Sequence, residues 1–367
     1  RQRTMISPTK PRLSLLVEIL FLLTLTTSCG SSRHSSDRTA TSETKYEAYA
    51  VAFYNVENLF DAEDDPDNKG DDEFLPSGPY NWTQAKYEKK LHNIASVIAQ
   101  LGREVTPAGP AIIGLAEVEN KRVCDDLVSR PEIADMGLQV IDVPSPDWRG
   151  IETALLYNPK LFKVTDYKAY RYPEIDFRPG YRTRDQLLVS GVLAGEPFHV
   201  LVCHWPSRYG GKSSSIYREV AAELSKHIAD SLYNDNPKAK LIIMGDLNDD
   251  PVDNSTAKVL GARRTIEEVG EKGFFNATWE PYAQGIGTLT YQGKWNLFDQ
   301  MILTEPLLDS SRKSLSFWRV EIFNRSFLIR QEGSRKGTPH RTFEGNTFIN
   351  GYSDHLPVIT YLVKERQ

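Results

Sequence analysis

The stretch Leu241-Ile242-Ile243-Met244-Gly245-Asp246-Leu247-Asn248 decides the fold, because it joins an apolar run directly to polar side chains. A short apolar run bounded by turn residues is typical of a buried strand. Three other apolar runs also end on a polar side chain: residues 48–54 before Asn55, residues 112–116 before Glu117, and residues 200–203 before His204. Open α/β sheets build their sites at the carboxyl ends of strands. We therefore expect these four side chains to meet at one edge.

Two further blocks have the reverse order, because the polar residue comes before the apolar run. Asp299 precedes the run 300–303, and Asp354-His355 precedes the run 356–362. If all six blocks meet at one edge, some strands run up and others down, which predicts mixed sheets. Amphipathic stripes predict helices after Thr83 and after residues 213–215. The sequence thus predicts an α/β fold in which two mixed sheets pack together with helices outside.

Composition excludes several classes of protein. The chain has 367 residues, 40% of them hydrophobic, and a formal net charge of -5. A chain of this length buries one large core or two modest ones. A negative net charge argues against a protein that coats nucleic acid electrostatically, since that requires clustered Lys and Arg. The sequence contains no repeat that would indicate a solenoid or propeller.

The N-terminal residues have the layout of an export signal. Basic residues precede an apolar run at 15–25, and small residues then lead to Cys29. We interpret residues 1–29 as a signal peptide with a lipoprotein-type cleavage site and Cys29 as the lipidated residue. Residues 30–45 would be a flexible tether, and residues 46–367 the folded domain. We expect an exported protein anchored to the outer membrane or cell surface by its N-terminal lipid; a periplasmic or secreted protein is the alternative.

Six motifs in order give the chain a recognisable resemblance: Phe53-Tyr54-Asn55-Val56-Glu57-Asn58, Leu115-Ala116-Glu117-Val118-Glu119, Cys203-His204-Trp205-Pro206, Met244-Gly245-Asp246-Leu247-Asn248, Trp295-Asn296-Leu297-Phe298-Asp299 and Ser353-Asp354-His355-Leu356-Pro357. They resemble the successive motifs of the endonuclease/exonuclease/phosphatase superfamily over residues 49–361. The resemblance implies a four-layer α/β sandwich of the deoxyribonuclease I type, with two packed mixed β-sheets flanked by helices. It also implies hydrolysis of phosphoester bonds.

The resemblance also implies roles for individual residues. Glu117 would be the principal metal ligand, with Asn55, Glu57 and Asp354 near the metal or its waters. Carboxylate and amide oxygens suit Mg²⁺ or Mn²⁺, and Ca²⁺ is a further candidate. The proposed catalytic set is Asp246 as general base, Asn248 and His204 as phosphate contacts, and His355 as a donor kept cationic by Asp299.

Three arginines are candidates for contact with substrate phosphate. Arg208 follows His204 closely, Arg184 precedes a strand-like run, and Arg341 lies in a basic loop at 335–341. Arg149 is a further candidate to line the cleft. Arg184 and Arg149 have a structural alternative, which is to pair with the acidic loop at residues 61–73. Arg341 belongs to an insertion between Asp299 and Asp354, in which we predict a strand pair at 315–323 and 327–330.

Residues 61–73, here called the acidic loop, contain eight acidic side chains. An EF-hand is excluded because Lys69 stands where an oxygen ligand is needed, and Pro76 stands where the bidentate Glu belongs. We interpret this segment as a solvated loop.

The leading functional hypothesis is a monomeric, secreted nuclease with DNA or RNA as its substrate. The alternative is a phosphatase or phospholipase-type esterase that acts on a phosphorylated lipid, sugar or inositol.

Overall fold

The computed structural model describes residues 45–366. The predicted signal peptide, its cleavage site at Cys29 and almost all of the tether lie outside the described residues, so these remain predictions. Within residues 45–366, no helix combines the length and apolar character needed to cross a bilayer.

Seventeen strands and four α-helices make up the regular structure of the described chain. The strands are β1 Tyr46–Leu59, β2 Ile112–Val118, β3 Gln139–Asp142, β4 Glu152–Tyr157, β5 Phe162–Tyr170, β6 Gln186–Leu193, β7 Glu196–His204, β8 Leu241–Asp246, β9 Ala262–Arg263, β10 Phe274–Asn276, β11 Leu289–Tyr291, β12 Lys294–Asn296, β13 Asp299–Thr304, β14 Ser316–Ile322, β15 Phe343–Glu344, β16 Thr347–Phe348 and β17 Val358–Glu365. The helices are α1 Gln84–Ile98, α2 Lys121–Val128, α3 Ser215–Asp235 and α4 Trp279–Ala283. Helices α1 and α3 therefore begin where the sequence predicted them.

Two large mixed sheets form the centre of the molecule. The first has the strand order β14-β17-β1-β2-β4-β3, and the second has the order β5-β6-β7-β8-β13-β10-β9. β1 runs parallel to β2 and β7 runs parallel to β8, whereas β17 and β13 are antiparallel to their neighbours β1 and β8. This combination confirms the prediction of mixed sheets.

Three apolar layers hold the sheets and helices together. Between the sheets, Val51 and Phe53 of β1 pack in one buried cluster with Val200 and Val202 of β7 and Met244 of β8. The outer face of the first sheet packs against α1 and α2, and the outer face of the second packs against α3. Burial of apolar side chains on both faces of each sheet is the main stabilising term. The result is the predicted four-layer α/β sandwich.

Bulges interrupt the first sheet where β1 and β2 reach the edge at which Asn55, Glu117 and Asp246 lie together, here called the catalytic edge. The register of the β1–β2 pair shifts between Asn55 and Leu59, and the β2–β4 register shifts between Ala116 and Val118. β1 thus continues to Leu59 instead of ending before Asn55. Bulges re-aim side chains, and Glu117 is the residue at the β2–β4 bulge.

The insertion before Asp354 differs from its prediction. β14 pairs with β17 and extends the first sheet at its edge, while the second predicted strand is a 3₁₀ turn at Ser326–Leu328. The predicted strand pair was therefore wrong. The backbone of Phe323 donates to Pro357 O at 2.8 Å, so this part of the chain is held by the last residue of the Ser353–Pro357 motif.

Candidate active site

The two sheets bring Asn55, Glu117 and Asp246 together at one edge. The side chain of Asn55 is fully buried and donates from Nδ2 to Asp246 Oδ2 at 3.0 Å and to Glu117 Oε1 at 3.4 Å. Its Oδ1 accepts from the backbone of Glu57 at 3.0 Å. Residues separated by up to 191 positions are thus held in one hydrogen-bonded group, as the strand-end pattern predicted.

Unusual backbone geometry marks the same edge. Glu57, Asn58, Glu117 and Asn248 all have positive φ, between 51° and 65°. Residues other than glycine are strained in this region, and such strain persists at functional sites because the surroundings enforce it. For Glu117, the backbone of Asn58 supplies one such contact, a hydrogen bond to Oε2 at 3.0 Å.

Asp246 is placed to act as a base. Its Oδ1 accepts from the backbone of Asn248 at 2.9 Å, and its Oδ2 lies 3.6 Å from His204 Nε2 and 3.7 Å from His355 Nε2. Burial raises the pKa of Asp246 to about 7, although the positive charge of His355 opposes the shift. A general base works best with a pKa near the working pH.

His355 and Asp299 form a buried ion pair. His355 Nδ1 lies 2.8 Å from Asp299 Oδ2, and Asp299 is fully buried. Burial opposes the charge on the imidazole, but the carboxylates of Asp299 and Asp246 outweigh it and raise the pKa of His355 well above its ordinary value. His355 is therefore a cation whose Nε2 remains available as a donor.

His204 has the opposite character. Burial, together with the guanidinium groups of Arg184 and Arg149, lowers the pKa of His204 well below its ordinary value. Its Nε2 lies 3.8 Å from Glu117 Oε1. The edge thus holds a neutral imidazole, His204, and a cationic imidazole, His355, both close to Asp246. Because their pKa values are shifted in opposite directions, the two histidines are suited to different roles in proton transfer.

Glu117 and Asp354 are the carboxylates of this edge that remain accessible to solvent. Their side chains are 13% and 33% exposed, whereas Asp246 and Asp299 are buried. Hard oxygen ligands of this kind suit a divalent cation that keeps several waters. Asp246, Asp299 and His355 also place ligand atoms within 4.8 Å of one another, but His355 Nδ1 and Asp299 Oδ2 are paired with each other at 2.8 Å. Glu117 and Asp354 are the accessible oxygen donors that suit such a cation, and Asn55 lies beside Glu117.

Glu57 does not fit the predicted role of metal ligand. Its Oε1 accepts from Arg341 Nε at 3.1 Å, and its Oε2 accepts from the backbone of Thr342 at 2.7 Å. Lys90 Nζ lies 3.8 Å from the same carboxylate. Glu57 is 5% exposed, so both oxygens are used inside the protein, where they attach the insertion to the catalytic edge.

The three predicted phosphate-binding arginines have different surroundings. Arg184 is buried, and its three guanidinium nitrogens contact His204 O, Trp205 O and Asp147 Oδ2. Arg184 stabilises the end of β7 from inside the protein. The prediction of direct phosphate contact was therefore wrong for Arg184. Arg341 is 35% exposed and donates to Asp354 Oδ2 at 3.1 Å, which leaves it at the catalytic edge.

Arg208 is also engaged by the protein. It donates from Nε to Asn248 O at 2.9 Å and from Nη2 to Asp253 Oδ2 at 2.5 Å, and it covers the ring of Phe298. Its side chain is 22% exposed. Arg208 fixes the loop of Asn248, and this contact takes up much of its capacity to bind phosphate.

Two basic residues at the site, Arg149 and Lys90, were not predicted from the sequence to contact the candidate site residues. Arg149 Nη2 donates to Asn58 Oδ1 at 2.7 Å and lies 3.5 Å from Glu117 Oε2. Lys90 is buried and donates to Tyr352 O at 2.8 Å, and burial lowers its pKa to about 8. Its place on the apolar stripe of α1 was the available signal, because a Lys on a core-facing stripe needs a buried partner.

Comparisons with known proteins agree with this geometry. A model of the Endonuclease/Exonuclease/phosphatase family matches residues 50–364. A search among curated proteins finds no match.

Similar solved structures include three proteins with low sequence identity. An endonuclease/exonuclease/phosphatase family protein from Bacteroides thetaiotaomicron is 16% identical, with 88% of this chain and 97% of that chain covered and a TM-score of 0.52. A humanized TDP2 from D. rerio is 13% identical, with 86% and 98% covered and a TM-score of 0.51. A mannosyl-6-phosphatase from Bacteroides thetaiotaomicron is 16% identical, with 86% and 99% covered and a TM-score of 0.50. The motifs, the fold and the family match lead to one conclusion: the chain belongs to the endonuclease/exonuclease/phosphatase family.

Proposed function

We propose that this protein is a divalent-metal-dependent phosphodiesterase that hydrolyses DNA or RNA. Members of its family are phosphoester hydrolases that depend on divalent metals. The observation that carries the proposal is the placement of Asp246 between the neutral His204 and the cationic His355. This arrangement supplies a base for water and donors for an anionic phosphoryl group within 4 Å of that base.

The reaction follows from the proton states of these side chains. Asp246 takes a proton from the attacking water, whose oxygen bonds to phosphorus as the phosphorus–oxygen bond of the leaving group breaks, and the leaving oxygen takes a proton from solvent. His355 Nε2 donates to a phosphoryl oxygen, while Asp299 keeps the ring charged and oriented. A divalent cation held by Glu117, with Asn55 and Asp354, would neutralise phosphoryl charge.

Asn248 steadies both the base and the neighbouring strand end. Its backbone donates to Asp246 Oδ1, and its Nδ2 donates to Trp205 O at 2.9 Å. These contacts fix the orientation of the carboxylate before substrate arrives, which is the positioning that phosphoryl chemistry requires.

Exposed aromatic side chains beside the site support a nucleic-acid substrate. Trp148 is 73% exposed and precedes Arg149, which contacts Asn58 and approaches Glu117. Tyr209 is 95% exposed and follows Arg208, which contacts Asn248. Exposed aromatic rings next to basic residues are the elements with which proteins stack the bases of single strands.

A substrate panel tests the proposal. Purified protein is incubated with single-stranded DNA, duplex DNA, RNA, a phosphoinositide and a hexose 6-phosphate, each with Mg²⁺ and with EDTA. We expect cleavage of nucleic acid in Mg²⁺ only. Intact nucleic acid together with hydrolysis of the sugar or lipid phosphate would replace the nuclease by the phosphatase alternative.

A further inference from the structure

The acidic loop is more buried around one of its carboxylates than a solvated loop would be. Asp71 is only 1% exposed. One carboxylate oxygen from each of Asp64, Asp71 and Asp72 lies within 4.8 Å of the other two. Asp64 and Asp72 are exposed, so the group is open to solvent on one side and closed on the other.

Only one of the two carboxylate oxygens of Asp71 accepts a hydrogen bond. Its Oδ2 accepts from the backbone of Asp65 at 2.8 Å, whereas its Oδ1 is buried without a hydrogen-bond partner. A buried unpaired acceptor costs free energy, which a ligand at this oxygen would offset.

The basic residues near the acidic loop form ion pairs with acidic residues outside the group of Asp64, Asp71 and Asp72. Arg122 pairs with Asp61 and Glu63, and Lys121 pairs with Asp125. Within residues 45–366, no basic side chain lies within ion-pair distance of the three clustered carboxylates.

We propose that Asp64, Asp71 and Asp72 form a calcium site that is separate from the catalytic metal site. Ca²⁺ takes six to eight oxygen ligands, including water, in flexible geometry, whereas Mg²⁺ demands a tighter octahedron. Two exposed carboxylates and one buried carboxylate on a loop match the first requirement. The ligand spacing is unrelated to that of an EF-hand, which is why the sequence pattern did not reveal it.

This site would act on the catalytic edge through the packing of the acidic loop against the loop of Arg149. A Cβ added at Gly70 would lie 2.1 Å from the carbonyl oxygen of Arg149, so the acidic loop packs tightly against the loop that carries this arginine. Arg149 in turn contacts Asn58 and approaches Glu117. Ca²⁺ that orders the acidic loop would therefore also hold Arg149 in place.

Calorimetric titration of Ca²⁺ into the Glu117→Gln protein tests the site, because this variant lacks the principal catalytic ligand. We expect one Ca²⁺ per chain. Asp64→Asn and Asp72→Asn, each in that background, should weaken binding by at least about tenfold, since affinity follows the charge of the ligand set. Asp67→Asn is the matched control, because Asp67 is an exposed acid of the same loop outside the cluster.

Limited proteolysis supplies a second readout that does not depend on activity. Trypsin cleaves after Lys69, which is exposed within the loop, and Ca²⁺ should slow this cut in the wild type but not in Asp64→Asn or Asp72→Asn. Absence of Ca²⁺ binding in the Glu117→Gln protein would overturn the proposal. So would equal binding by the Asp64, Asp72 and Asp67 variants.

Discussion

Replacing Asp299 by Asn tests the ion pair that keeps His355 charged. With an effective dielectric constant of about 20, unit charges 2.8 Å apart attract by about 6 kcal/mol before the cost of burial is subtracted. Asn keeps the shape and an acceptor oxygen but removes this charge. Asp299 raises the pKa of His355, so its removal lowers that pKa and the ring loses its proton at a lower pH.

The assay is the pH dependence of kcat/KM on a phosphodiester at saturating Mg²⁺. In the wild type we expect activity to rise around pH 7 as Asp246 loses its proton and to persist into alkaline pH while His355 stays charged. Asp299→Asn should move the alkaline limb to lower pH and reduce the maximum by about 10²- to 10⁴-fold. Asp166→Asn, an exposed acid on β5, should match the wild type. An unchanged alkaline limb in Asp299→Asn would refute the assigned role.

Three further changes test other parts of the structure. Glu117→Gln should raise the Mg²⁺ concentration for half-maximal activity by at least about tenfold; an unchanged Mg²⁺ dependence would place the metal elsewhere. Trp148→Ala should lower kcat/KM on single-stranded DNA by about 5- to 150-fold, as loss of one stacking contact would, while Trp318→Ala, an exposed Trp on β14, should have no effect. Burial and the nearby charge of Asp142 raise the pKa of Glu152 to about 9, so its contribution to stability is present at low pH and is lost as pH rises towards 9. Glu152→Gln should therefore raise Tm at pH 8 by a few degrees and leave Tm at pH 5 nearly unchanged; equal shifts at both pH values would contradict this titration.

The strand ends were predictable because their signal is local. An apolar run that stops at a polar residue fixes both the strand and the position of its last side chain, and this held for β7 and β8. The bulges at Asn55 and Glu117 were not predictable, since the positive φ of Glu117 depends on contacts with β4 and with the loop of Asn58.

The roles of the charged side chains were the least predictable part of the site. Arg184 and Glu57 occupy positions where the family resemblance suggested ligand contact, yet each has its polar atoms satisfied by protein groups. The partner of Glu57 is Arg341, which is 284 residues away in the sequence. Pairing over such a distance is decided by the packing of the insertion, which the sequence does not encode as a short pattern.

The most direct test of the account is the rate at which the wild type and Asp246→Asn cleave a single-stranded oligonucleotide in Mg²⁺. Asn keeps the hydrogen-bonding shape of the side chain but cannot accept the proton of water. The account predicts cleavage by the wild type that stops in EDTA, and a rate about 10²- to 10⁴-fold lower for Asp246→Asn. Cleavage by Asp246→Asn at the wild-type rate would contradict it.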